Sequence, residues 1–116
     1  MKTNIQLQKL IDDLKKQSYT ENVKIWKRIA RDLEKPTQNQ RIVNVNKLEK
    51  YMNDDEIMIV PGKVLGGGDL NKKLTVAAFK FSDSAKEKLH ANKCIMYSIE
   101  ELMRKNPKGK KVRIIG

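Results

Sequence analysis

The run Leu74–Phe81, LTVAAFKF, is nearly unbroken in apolar and β-branched residues. A strand with one wet face alternates apolar with polar. A continuous run instead marks a strand covered on both faces, the condition of a sheet held between helical layers. The rest of the chain supplies the layers. Strand-like runs at Ile42–Val45, Ile57–Val60, Cys94–Tyr97 and Val112–Ile115 alternate with short helical segments after residue 41. That order predicts an α/β fold, in one domain, with two helices attached at the N-terminus.

The two leading helices follow from spacing. Leu7, Leu10, Ile11 and Leu14 repeat at i, i+3, i+4, i+7, and Thr3 with Gln6 offers a capping box. A polar break over Gln17–Asn22 separates a second helix whose apolar line is Val23, Trp26, Ile29/Ala30 and Leu33. Pro36 stops it, because the residue before a proline is driven out of the α region. The polar run TQNQ then reads as a linker. Further on, Asn46 suits an N-cap for a helix through Leu48, Tyr51 and Met52, and Ser84 with Glu87 suits a second capping box. Ser98 with Glu101 suits a third, ahead of Leu102 and Met103.

Chemistry-bearing residues are sparse. His90 is the only histidine and lies on a lysine-rich helix; Cys94 is the only cysteine and opens an apolar strand. One of each cannot make a zinc set, and no residue orients them as a catalytic pair. The acids Asp54, Asp55 and Glu56 form one turn without the spacing of a calcium loop. Trp26 falls on the apolar side of its helix and reads as core. A single cysteine also excludes an internal disulfide and fits a reducing compartment. The start MKTNIQLQ has no apolar leader, and no stretch approaches a membrane span. A soluble, intracellular, non-enzymatic protein without cofactor or metal is expected.

Charge gives the positive signal. The chain carries 25 Lys+Arg against 14 Asp+Glu, a net +11, and residues 61–116 alone hold 13 basic and 5 acidic side chains. A clustered excess of this kind favours a polyanion. Gly66, Gly67 and Gly68 lie between Lys63 and the pair Lys72–Lys73, a composition that lets backbone N–H groups approach an anion. It is not a nucleotide P-loop, because the lysine precedes the glycines and a strand follows them. From Arg104 onward six basic residues occur with no acid. Pro107 and Gly109 make the start of that segment a turn, and an extended basic loop unable to pack on itself suits a phosphate backbone. Alternation in the last strand turns Arg113 away from the buried side. Lys24, Lys27, Arg28 and Arg31 cover the polar faces of the second helix.

The segment PGKVLGGGDLNKKLTVAAFKFSDSAKEKL closely resembles the archaeal and eukaryotic large-subunit ribosomal protein family eighteen-e, which is akin to the C-terminal part of bacterial large-subunit protein fifteen. The likeness continues through Lys2-Thr3-Asn4, the Trp26 helix, LEKP at Leu33–Pro36, VNVNKLEKY at Val43–Tyr51 and NPKGKKVRII at Asn106–Ile115. It implies an irregular α/β fold of successive strand–strand–helix superhelical turns. It also implies no catalysis, no small-molecule substrate and no homo-oligomer, with large-subunit rRNA and neighbouring ribosomal proteins as partners in the cytoplasmic ribosome. RNA contact is carried onto Lys63, Gly66–Gly68, Lys72 and the stretch Lys110, Lys111, Arg113, which match the family pattern. Lys2, Thr3, Asn4, Lys24, Lys27, Lys35, Lys73, Lys80 and Lys108 complete the candidate RNA-binding set. Basic residues usual in the linker are replaced here by Thr37 and Gln40, while Arg41 stands where a small residue is typical, and it joins the set. A free RNA-binding regulator or maturation factor using the same surface is the alternative.

Overall fold

Parallel pairing governs the architecture. The computed structural model describes residues 5–36 and 40–115. Among the described residues, five strands form one sheet: β1 (Arg41–Asn44), β2 (Ile57–Leu65), β3 (Thr75–Phe81), β4 (Ile95–Ser98) and β5 (Val112–Ile114). Every pairing among them is parallel. β2 is the hub. One edge of it carries β3, with β4 beyond; the other is shared, β5 lying along Ile57–Ile59 and β1 along Gly62–Leu65.

Helices cover both faces. Val60, Val64, Val76 and Ala78 pack with Val45 and Leu48 of α3 (Val45–Tyr51) and with Ala85 and Leu89 of α4 (Asp83–Ala91). Ile59 and Ala77 face the opposite way, toward α1 (Ile5–Glu21), α2 (Ile25–Glu34) and α5 (Ile99–Lys105) through Leu14, Trp26, Ile29 and Leu102. The unbroken apolar character of LTVAAFKF is thereby explained, since its neighbouring residues feed two different cores.

The nine-residue β2 contains a proline, which has no N–H for a sheet ladder. Pro61 is accommodated at a break: the register with β3 shifts between Val60 and Lys63, and on the other edge β5 has ended and β1 begins. At the next residue the chains nearly touch. A Cβ on Gly62 would overlap the carbonyl of Arg41, so only glycine lets β1 close against β2.

Parallel neighbours need a crossover, usually a helix of a dozen or more residues with its linkers. Between β2 and β3 residues 66–74 do this alone. They must retrace β2, roughly 25–30 Å at about 3.3 Å per residue. A helix of the same length would rise only about 14 Å at 1.5 Å per residue. The crossover therefore runs stretched across the α3/α4 face, with Leu70 and Leu74 buried in that core.

Local signals resolve unevenly. Ser98 and Glu101 form the expected capping box: Glu101 N–H donates to Ser98 Oγ (3.1 Å) and Ser98 N–H to Glu101 Oε1 (2.9 Å). Those Ser98 bonds hold the Glu101 carboxyl below the ordinary carboxylate range. Elsewhere the caps move. α4 is capped by Ser82, which accepts from Ala85 N–H, rather than by Ser84. α3 begins at Val45, so Asn46 lies within the helix and Asn44 precedes it. α1 continues to Glu21, past the polar break expected at Gln17, because Ser18 is buried and donates to the Val23 carbonyl. The capping box placed at Thr3 and the linker residues 37–39 lie outside the described residues.

A Gly62→Ala variant should lose roughly 1–3 kcal/mol or more of stability through overpacking at the β1–β2 contact, measured by urea denaturation. An unchanged midpoint would contradict the close approach described.

Candidate nucleic-acid interface

With all strands running one way, every connection into a strand lies at one edge of the sheet, here the entry edge, and every connection out of one lies at the exit edge. This sorts the basic residues. Lys63 and Gly66–Gly68 belong to the exit end of β2, whereas Lys72–Lys73 precede β3 at the entry edge. The single glycine–lysine loop expected from sequence is thus drawn out between opposite edges, and Lys63 is a strand residue because β2 extends beyond Val60 to Leu65.

The glycines are demanded by packing within the protein. A Cβ on Gly66 would collide with Ser84, one on Gly67 with the Asn44 side chain, and one on Gly68 (φ +80°) with Asn46. Gly67 N–H donates to Asn44 Oδ1 (3.0 Å), and Lys88 Nζ donates to the carbonyls of Gly66 and Gly68 (2.6 Å each). Asn71 N–H donates to Glu49 Oε1 at 2.7 Å. Gly66 is buried while Gly67 and Gly68 are exposed. The loop is held rigid, with the Gly67 N–H already engaged.

At the exit end the clearest cationic feature is a cross-strand pair. Lys63 and Lys80 are register partners on β2 and β3, and both are exposed. Like charges in such positions repel, which makes the pair a small cost in the free protein. They line an open groove of about 790 Å³ together with Lys86, Phe79, Tyr97, Asp83 and Glu101. Lys80 Nζ also stands 5.6 Å from the centroid of the Phe79 ring.

At the entry end the basic segment is a closed turn rather than an extended loop. Asn106 donates from Nδ2 to the Lys110 carbonyl (2.8 Å) and accepts from Lys110 N–H (3.1 Å), and Gly109 N–H donates to the Asn106 carbonyl (2.9 Å). The turn is fastened to the helical layer: the Pro107 carbonyl accepts from Trp26 Nε1 (2.7 Å) and Gln17 Nε2 (3.2 Å). Trp26 is accordingly core, and its one polar atom orients the cationic turn. Lys108, Lys110 and Lys111 are exposed, Lys108 lying 3.8 Å from Glu21. Arg113 points outward as alternation requires, near Glu56 (3.7 Å) and the Tyr51 carbonyl (3.3 Å).

The remaining candidates are dispersed. Lys24 and Lys27 are exposed at the start of α2. Lys35 and Arg41 share Asp32, at 3.1 and 3.2 Å, and Arg41 Nε is buried with no hydrogen-bond partner among the described residues. Lys2, Thr3 and Asn4 lie outside the described residues. Sequence reasoning missed Lys86, which lines the exit groove, and Lys88, which fixes the glycine loop. Neither carried a local signal, since both look like ordinary solvated helix positions.

Cys94 is half-buried; its Sγ accepts from Leu74 N–H (3.4 Å) and lies 3.5 Å from the Lys72 carbonyl. His90 is exposed on α4. Among the described residues no cluster of His, Cys, Asp and Glu is arranged to hold a metal, and no helix is long and apolar enough to cross a membrane.

The α/β scaffold thus holds exposed lysines at both ends of its sheet, on paired strands at one and in a closed turn at the other. Residues 5–93 match the family described as ribosomal proteins 50S-L15 and 50S-L18e with their 60S counterpart, and the chain belongs to that family. It is 44% identical to "Large ribosomal subunit protein eL18" of Methanococcus maripaludis, over 99% of this chain and 96% of that one. The protein of the same name from Methanosphaerula palustris is 46% identical, over 98% of this chain and 94% of its own. That of Archaeoglobus fulgidus is 43% identical, over 98% and 97%.

Replacing Asn106 by Ala removes two hydrogen bonds inside the basic turn. At about 0.5–1.5 kcal/mol each, the loss should speed amide exchange of the Gly109 and Lys110 N–H groups while the sheet stays protected. Unaltered exchange there would show that the turn is ordered by something else.

Proposed function

We propose that this protein is a structural constituent of the large ribosomal subunit, where it binds and stabilises folded large-subunit rRNA in the cytoplasm. The observation that carries the reading is the nearly end-to-end match to proteins named as large-subunit components. The geometry supports a mechanism. Folded RNA brings phosphates together against their mutual repulsion, and lysines held on a stiff sheet offset that repulsion at fixed places. Lys63, Lys80 and the turn bearing Lys108, Lys110 and Lys111 contact phosphates; Lys24, Lys27, Lys72, Lys73 and Arg113 extend the contact. Gly66–Gly68 contribute by holding a shape that RNA can approach closely. Recognition depends on shape and backbone, because A-form RNA hides its base edges in a deep groove. Neighbouring large-subunit proteins are the other partners, and the role is architectural rather than catalytic.

If about 6–10 phosphates are engaged, affinity for large-subunit rRNA should fall by roughly 10³–10⁵ between 50 and 200 mM salt. A binding curve flat across that range would refute electrostatic binding. Lys63→Glu gives a sharper result. It turns a repulsive cross-strand pair into an attractive one, so the isolated fold should gain up to about 1 kcal/mol while RNA affinity and incorporation into large subunits decline. Full incorporation of the variant would place this edge away from RNA.

A further inference from the structure

Three non-glycine residues have left-handed backbone: Asn22 (φ 56°), Lys93 (φ 57°) and Lys111 (φ 60°) among the described residues. Asparagine tolerates this region, but lysine does so only against the steric penalty of its Cβ. The chain uses glycine in other such places, at Gly68 (φ 80°) and Gly109 (φ 63°), where a Cβ would also strike Asn46 or Ile25.

Lys93 stands where glycine is the usual choice. Cys94 N–H donates to the Leu89 carbonyl (2.9 Å) and Lys93 N–H to the His90 carbonyl (3.0 Å), the two bonds of a Schellman motif closing α4. Its left-handed position is filled by glycine in most helices that end this way. Lys111 is comparably fixed, its carbonyl accepting from Ile57 N–H at 2.9 Å. Both lysines are exposed, and both immediately precede or lie one residue from a strand start, Lys93 before β4 and Lys111 before β5. They therefore occupy the same entry edge, and Cys94 ties the Lys72–Leu74 backbone to the Lys93 side of it. The acids of the 54–56 turn enter β2 between them, with Glu56 near Arg113 and Asp54 and Asp55 exposed. The basic charge consequently forms two spots, one around Lys93 and Lys72 and one around Lys111.

The geometry points to Lys93 and Lys111 as two separate phosphate contacts for RNA on the entry edge, placed against backbone preference for the sake of their charge. This rests on the RNA-binding reading above and adds Lys93 to the contacts of its entry edge. Both side chains are exposed and belong to neither core.

The full chain should be compared with Lys93→Gly, Lys111→Gly and Lys93→Arg for urea stability and for binding to large-subunit rRNA across a salt series. Each glycine variant should be at least as stable as the parent. Each should lose RNA affinity several-fold and flatten the slope of log affinity against log salt by roughly 0.7–0.9 for each charge removed. Lys93→Arg should keep the parent slope. Parent binding with unchanged slopes in both glycine variants would overturn this inference and leave the ribosomal reading standing. Absence of salt-dependent binding by the parent itself would overturn both. Glycine variants that lose stability instead would show that the lysines serve the fold.

Discussion

The structure depends on a crossover too short to be a helix. β2 and β3 pair in parallel for most of their length, yet only residues 66–74 join them. A stretched chain crossing one face of a sheet cannot satisfy itself as a helix does, so its polar groups must be met from outside. Asn44, Glu49 and Lys88 do this, from β1, α3 and α4. Leu70 and Leu74 anchor the same segment in the core. Each glycine marks a point where a neighbouring element is pressed against the crossover. The loop thus locks two helices and two strands together, and the rigidity of everything mounted on the sheet follows.

Rigidity turns a positively charged protein into a specific shape. Exposed lysines on mobile loops would attract any polyanion, and ordering them on binding would cost conformational entropy. Here the cations are placed beforehand: Lys63 and Lys80 by strand register, and the 106–111 turn by Asn106 and the Trp26 indole. Several positions work against the isolated fold. Like charges face each other across β2 and β3, and lysines take left-handed backbone at 93 and 111. Such local conflicts cluster where a protein is shaped for something other than its own stability. A phosphate backbone, the partner proposed above, would relieve the charge conflict.

Much of the fold was legible in the residues. LTVAAFKF demanded cover on both faces, and the two cores supply it. The apolar spacing of α1 and α2, the stop at Pro36 and the Ser98–Glu101 box were local signals with local causes. What sequence hid was non-local. Asn46 and Ser84 look as suitable for capping as Asn44 and Ser82; register and loop packing decide between them. Asn44 is drawn to Gly67, and Ser84 lies against Gly66. The candidate site was argued from composition, and its arrangement could not be read there. Lys63 through Lys73 reads as one loop, and only parallel pairing reveals that its ends belong to different edges. Lys93 gave no signal at all, because its distinction is a backbone angle.

In the binding mode proposed above, both ends of one sheet meet RNA at once. Lysine reactivity toward a small acylating reagent, measured by mass spectrometry on the free protein and on its complex with large-subunit rRNA, tests it most directly. Lys63 and Lys80 at the exit end, and Lys93 and Lys111 at the entry end, should lose reactivity together on binding. Protection confined to one end, or equal labelling of all four with and without RNA, would contradict it.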